Sequence, residues 1–158
     1  MELKILSCDA AREFEPKVKT AAMRIYSGNP YDNSDYGELR KSDLYVAQFQ
    51  YTFDDIPCKS GDEMDRLSKD GPDENQDICY MSRKTAEHLV RDFISVKDSI
   101  ECLMVHCRAG QGRSAGMGMA LNEAFKFGDN TFRMSLEFPN FNLGVYELVL
   151  EAARKIAR

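Results

Sequence analysis

Apolar positions follow two periods along this chain. Short apolar runs of strand length lie at Leu3–Ser7, Ala21–Tyr26 and Cys102–Val105, and Tyr45–Phe53 mixes β-branched and aromatic residues in partial alternation. Each predicts a strand. Turn chemistry in Ser27-Gly28-Asn29-Pro30 closes the second, and Asp54-Asp55-Ile56-Pro57 stops the third. Helical spacing appears first behind Ser82, a candidate N-cap, where Ala86, Leu89, Val90, Phe93 and Ile94 share a face. His88 lies beside that face and, lacking neighbouring ligand residues, reads as a surface or partly buried histidine. Ser114–Phe127 predicts another helix, with Gly116 and Gly118 permitting close packing. The last helix begins at or near Asn142 and turns Val145, Leu148, Val149, Ala152 and Ile156 to one side. Strands alternating with helices predict a single α/β layered domain over residues 1–158, its mainly parallel central sheet flanked by helices. Lys59–Asp77, with two glycine-containing turns and little apolar content, reads instead as an acidic loop insertion, a candidate lid or substrate-selecting wall.

Composition narrows the class. A length of 158 residues with 43% hydrophobic and 30% charged residues describes one ordinary globular domain. No run approaches the roughly 18 apolar residues of a membrane span, and the start, MELKILSCDAAREFE, lacks the regions of a signal peptide, so a cytoplasmic chain is expected. The net charge of −5 is concentrated: nine acids face three bases between Asp54 and Asp77, leaving the remainder at +1. That distribution contains no basic stripe for nucleic acid. Cys8, Cys58, Cys79, Cys102 and Cys107 include no C-x-x-C pair, and His88 and His106 are the only histidines. Zinc spacing and a disulfide framework are therefore not expected, and the cysteines read as reduced thiols.

One segment carries chemistry: His106-Cys107-Arg108-Ala109-Gly110-Gln111-Gly112-Arg113-Ser114, between an apolar strand and a helix. A loop entering a helix offers unpaired N–H groups to an anion, reinforced by the helix dipole. Gly110 and Gly112 let the backbone curl so that successive N–H groups point inward. Arg113 adds a planar fork for two phosphate oxygens. The same positive potential favours the thiolate of Cys107, which would sit beneath a bound phosphate for in-line attack.

This segment resembles the His-Cys-x5-Arg-Ser motif of the cysteine-dependent protein tyrosine phosphatases, and its Gly-x-Gly-Arg is similar to small dual-specificity members. A looser likeness runs from Ala21 to Phe127, and Pro139-Asn140-Phe141-Asn142 looks like a segment of the group while reading equally as a turn and helix cap. The resemblance implies a nucleophile at Cys107 that forms a phosphocysteine, phosphate and transition-state binding by Arg113, and a Ser114 hydroxyl easing departure of the thiolate. It also implies that His106 orients the loop, that the amides from Arg108 through Ala109, Gly110, Gln111 and Gly112 to Arg113 hold phosphate oxygens, and that no metal or other cofactor is used.

The family further needs an aspartate as general acid. Asp55 is the first choice, because it follows a strand whose end should face the phosphate loop. Asp77, thirty residues before Cys107, and Asp54, adjacent to Asp55, remain alternatives. The expected activity is phosphomonoester hydrolysis on a phosphorylated protein or peptide, at tyrosine with or without serine and threonine. Competing readings are a phosphopeptide-binding module without turnover, and a phosphatase for phosphoinositide, nucleotide or RNA ends, to which Arg108 would lend charge. Sulfur transfer or arsenate reduction would need a redox partner cysteine that is not evident.

Overall fold

The computed structural model describes residues 1–57, 59–69 and 78–158. Strands β1 (Glu2–Leu6), β2 (Thr20–Tyr26), β3 (Tyr45–Thr52) and β4 (Cys102–His106) form one parallel sheet in the order β1-β4-β2-β3. The register places Leu6 and Arg24 on either side of His106. β4 is buried along its whole length and β2 nearly so, which is why both read as continuous apolar runs. β3, at an edge, alternates instead.

Helices α3 (Arg83–Val96), α4 (Arg113–Phe125) and α6 (Leu143–Ile156) contribute to one large core with Ile25, Phe53, Leu103 and Val105 from the strands and their ends. Ser82 and Asn142 cap α3 and α6 by accepting from Thr85 N–H and Val145 N–H, as their sequence positions suggest. A smaller cluster of Ala11, Ala22, Leu39 and Met104 holds α1 (Cys8–Glu13). Among the described residues, no helix is long and apolar enough to cross a membrane.

Three helices depart from the sequence reading. Part of the expected 59–77 loop is helix α2 (Gly61–Lys69); Cys58 and residues 70–77 lie outside the described residues. Met64 is its one fully buried large apolar residue, so apolar periodicity gives almost no signal. The helix is held by polar means. Asp62 and Glu63 sit in its first turn, Arg66 and Lys69 in its last, which suits the helix dipole. Its buried Asp65 accepts from the backbone N–H and Nη1 of Arg83, which hold the carboxyl below its ordinary range. The short helices α1 and α5 (Thr131–Glu137) also carry too few apolar positions for a period, although Ser7 and Asn130 cap them.

Because all four strands run in parallel, the C-terminal ends of β2, β3 and β4 open at one edge of the sheet. Ser27, Asp54-Asp55 and Cys107 follow those ends directly, where ligands bind in open parallel sheets.

Candidate active site

β4 ends at His106, and the chain curls through Cys107–Gly112 into α4, whose first residue is Arg113. Gly110 makes the curl possible. It has φ +72°, and a Cβ there would lie 2.5 Å from Ser7 N and 2.8 Å from Leu6 O. The loop is thereby pressed onto the β1–α1 junction, where Cys8 N–H donates to Arg108 O (3.0 Å). A side chain at Gly112 would collide with the Asp55 carboxylate.

Cys107 is 2% exposed. Its sulfur receives Gly110 N–H at 3.3 Å and lies 3.1 Å from Ser114 Oγ, so two donors can face an ionised sulfur. Arg113 is equally buried, and its Nη1 donates to Phe53 O (2.9 Å) and Ser27 Oγ (3.1 Å), which fixes the guanidinium against the ends of β2 and β3. Its Nε–H is buried and, among the described residues, has no partner. Such an orphan donor costs roughly 1–3 kcal/mol, and an anion oxygen would satisfy it.

Asp55 and Asp54 separate cleanly. Asp54 turns to the neighbouring backbone, accepting Gly28 N–H (2.9 Å) on one oxygen and Cys79 N–H (2.7 Å) on the other. Asp55 stands over Gly112 of the loop, and its Oδ1 accepts from Asn142 Nδ2 at 2.7 Å. Of the two, Asp55 is the one whose carboxylate lies beside the loop. Asp77 lies outside the described residues.

His106 is fully buried. Burial pushes its pKa down to about 4, assisted by the charges of Arg24 and Arg113 against an opposing hydrogen bond to the Cys107 backbone. The imidazole is thus neutral and lies behind the loop, with Nδ1 3.2 Å from Cys107 O and Nε2 accepting from Arg24 Nε at 2.9 Å. Arg108 is half exposed and leans toward Asp32 (3.7 Å) and Asp35 (3.8 Å). Ala109 and Gln111 are exposed beside it, so these three can offer backbone amides while their side chains lie at the rim.

Three residues at the site escaped the sequence reading. Ser27 reads in the sequence only as part of a turn. Arg24 is a charge inside the run TAAMRIY, and that anomaly was its available signal. Asn142 was read as a cap, whereas it also donates to Asp55 and its N–H donates to Gly112 O (3.0 Å).

No protein-family model and no curated protein matches the sequence. Among solved structures, PTPMT1 in complex with PI(5)P is similar in fold at TM-score 0.51 and 12% identity, over 99% of this chain and 92% of that one. Tk-PTP in its active form aligns at TM-score 0.45 and 15% identity, over 98% of this chain and 91% of that one. The likeness to PTPMT1 shows that the chain has a protein tyrosine phosphatase-like fold: a parallel four-stranded sheet flanked by helices, with the His106–Ser114 segment between an inner strand and a core helix.

Proposed function

We propose that this protein hydrolyses phosphomonoesters through a phosphocysteine at Cys107, acting on phosphorylated protein or peptide. The observation that carries this reading is one set of donors: a buried thiol facing Gly110 N–H and Ser114 Oγ, with a buried Arg113 at the start of the same helix whose Nε–H lacks an acceptor among the described residues. Three donors or potential donors around the loop suit a tetrahedral oxyanion next to a nucleophile.

In the first step the Cys107 thiolate attacks phosphorus while the ester P–O bond breaks, and protonated Asp55 gives its proton to the departing oxygen. Arg113 and the loop amides take the charge spread over the equatorial oxygens. In the second step the Asp55 carboxylate accepts a proton from water, the resulting oxygen attacks phosphorus, and the S–P bond breaks. The Ser114 hydroxyl then donates to the leaving thiolate. Asp55, placed above Gly112 by Asn142, supports turnover over phosphopeptide binding alone.

A phosphoinositide substrate is the second reading, favoured by the PI(5)P bound to PTPMT1. Against it, Asp32 and Asp35 offset the Arg108 charge at the rim, which suits a single phosphate better than a polyanion. The test is hydrolysis of p-nitrophenyl phosphate by the wild type and by Cys107→Ser. Turnover by the wild type alone, with phosphate still bound by the variant, is expected. A wild type that binds phosphopeptide but turns nothing over contradicts the reading, and faster release of phosphate from a phosphoinositide than from phosphotyrosine peptides favours the second.

A further inference from the structure

We infer that Arg24 is a positioning residue: by donating to His106 Nε2 it locks the imidazole proton on Nδ1, and so aims the first peptide of the anion loop. The effect on turnover rests on the phosphatase reading; the effect on His106 does not.

The argument begins with donor and acceptor inventories. A guanidinium can only donate, so Nε2 of His106, 2.9 Å from Arg24 Nε, must accept. A carbonyl can only accept, so Nδ1, 3.2 Å from Cys107 O, must donate. The two neighbours together allow one neutral tautomer. Tyr36 packs against the ring at a tilt of 50° and 5.4 Å between centroids, and is itself fixed by its hydroxyl to Ile25 O (2.7 Å).

The consequence passes through a planar peptide. With Cys107 C=O turned toward His106, the N–H of Arg108 on the opposite edge of the same trans peptide points away from it. The following carbonyl, Arg108 O, is held by Cys8 N–H at 3.0 Å. Successive peptides at the start of the loop are therefore each fixed from behind.

Arg24 is an unusual choice for mere packing. It is 4% exposed at the β2 position paired with His106, and among the described residues no carboxylate pairs with it. Its remaining contacts are Gly37 O (2.7 Å), Tyr36 O (3.4 Å) and the ring of Tyr26, 5.5 Å from the guanidinium carbon. A buried charge without a counter-ion is costly where an apolar side chain of similar length would fill the space. An apolar side chain could supply neither the Nη2 donor to the Tyr36 and Gly37 carbonyls nor the Nε donor to His106, and of these only the Nε donor acts on the ring.

The test reads the ring nitrogens of His106 by 15N NMR. His88 is the other histidine, and His88→Gln removes its signals. At pH 7 the wild type should show neutral His106 protonated on Nδ1; protonation on Nε2 overturns the inference without any variant. Arg24→Met should release the tautomer, giving a mixture or an Nε2–H ring, and lower kcat on p-nitrophenyl phosphate by up to about a hundredfold, as misplacement of a reacting group from a distance can. Arg24→Lys, whose ammonium can also donate to Nε2, should recover part of both readouts. If Arg24→Met does not fold, the wild-type spectrum and Arg24→Lys decide. An unchanged tautomer in Arg24→Met, or a released tautomer with unchanged kcat, overturns the inference. An inactive wild type with Nδ1–H at His106 would instead count against the phosphatase reading and leave the Arg24–His106 lock standing.

Discussion

Asp54 and Asp55 are chemically the same residue, yet the backbone after β3 gives them opposite surroundings. Two main-chain N–H groups use both oxygens of Asp54, while Asp55 keeps an oxygen over Gly112 and is steered by Asn142. The two should therefore fail differently. Asp55→Asn should lower kcat by about 10²- to 10⁴-fold on substrates with poor leaving groups, such as phosphotyrosine, and far less on p-nitrophenyl phosphate, which departs without a proton. Asn142→Ala should follow the same leaving-group pattern with a smaller loss, together with about 1 kcal/mol of stability from the lost helix cap. Asp54→Ala should lower Tm and show no leaving-group dependence. Rates plotted against leaving-group pKa decide, and equal losses for Asp55→Asn across the series would remove it as the acid.

His106 adds a pH dependence whose sign is fixed by burial. Its pKa falls from an ordinary value near 6.5 to about 4 in the folded protein, so the unfolded chain binds more protons between those values. Stability contributed by the neutral ring is complete above about pH 6.5 and is lost as pH falls toward 4, on the order of 3 kcal/mol in all. Urea unfolding from pH 7 to pH 4 should show that slope, and His106→Asn should flatten its upper part. A wild-type stability unchanged between pH 6.5 and 5 would contradict a neutral buried imidazole.

At the scale of elements, legibility followed apolar content. β2, β4, α3 and α6 were readable because burial imposes their periods, and Ser82 and Asn142 marked helix starts. α2 was hidden because Asp65 and its partners Arg83 and Lys69 replace the usual apolar stripe. α4 shows what a sequence pattern cannot resolve: it is buried from Arg113 to Asn122, so its glycines mark close approaches whose partners are invisible in sequence. A Cβ at Gly116 would lie 2.5 Å from Asn142 O. Gly116→Ala should thus force α6 away from α4, destabilise by roughly 1–3 kcal/mol, and lower kcat by disturbing Asn142 and Asp55. Thermal denaturation alongside kinetics checks this; an unchanged Tm would show that the α4–α6 contact relaxes freely.

For the whole molecule, the parallel sheet was legible from the alternation of strands and helices, and the strand–loop–helix setting of His106–Ser114 from its glycines and the apolar run before it. The resemblance alone led to the expectation that Asp55 would face Cys107; the place of Ser27 beside them was not legible, because it depends on the order β1-β4-β2-β3, which no local pattern encodes. That order puts the loop on the central strand β4, between a β2 end that anchors Arg113 through Ser27 and a β3 end that leads into Asp55. The large core, which includes Ile25, Phe53, Val105 and Cys107, packs beneath this edge, and the proposed chemistry would use donors already in place before substrate binds. Covalent capture is the most direct examination of that chemistry. Acid quenching of Ser114→Ala during turnover of p-nitrophenyl phosphate, followed by peptide mass spectrometry, should find one phosphoryl group on Cys107, because loss of the hydroxyl slows departure of the thiolate. Turnover with Cys107 unmodified, or a phosphoryl group on any other residue, would contradict the account.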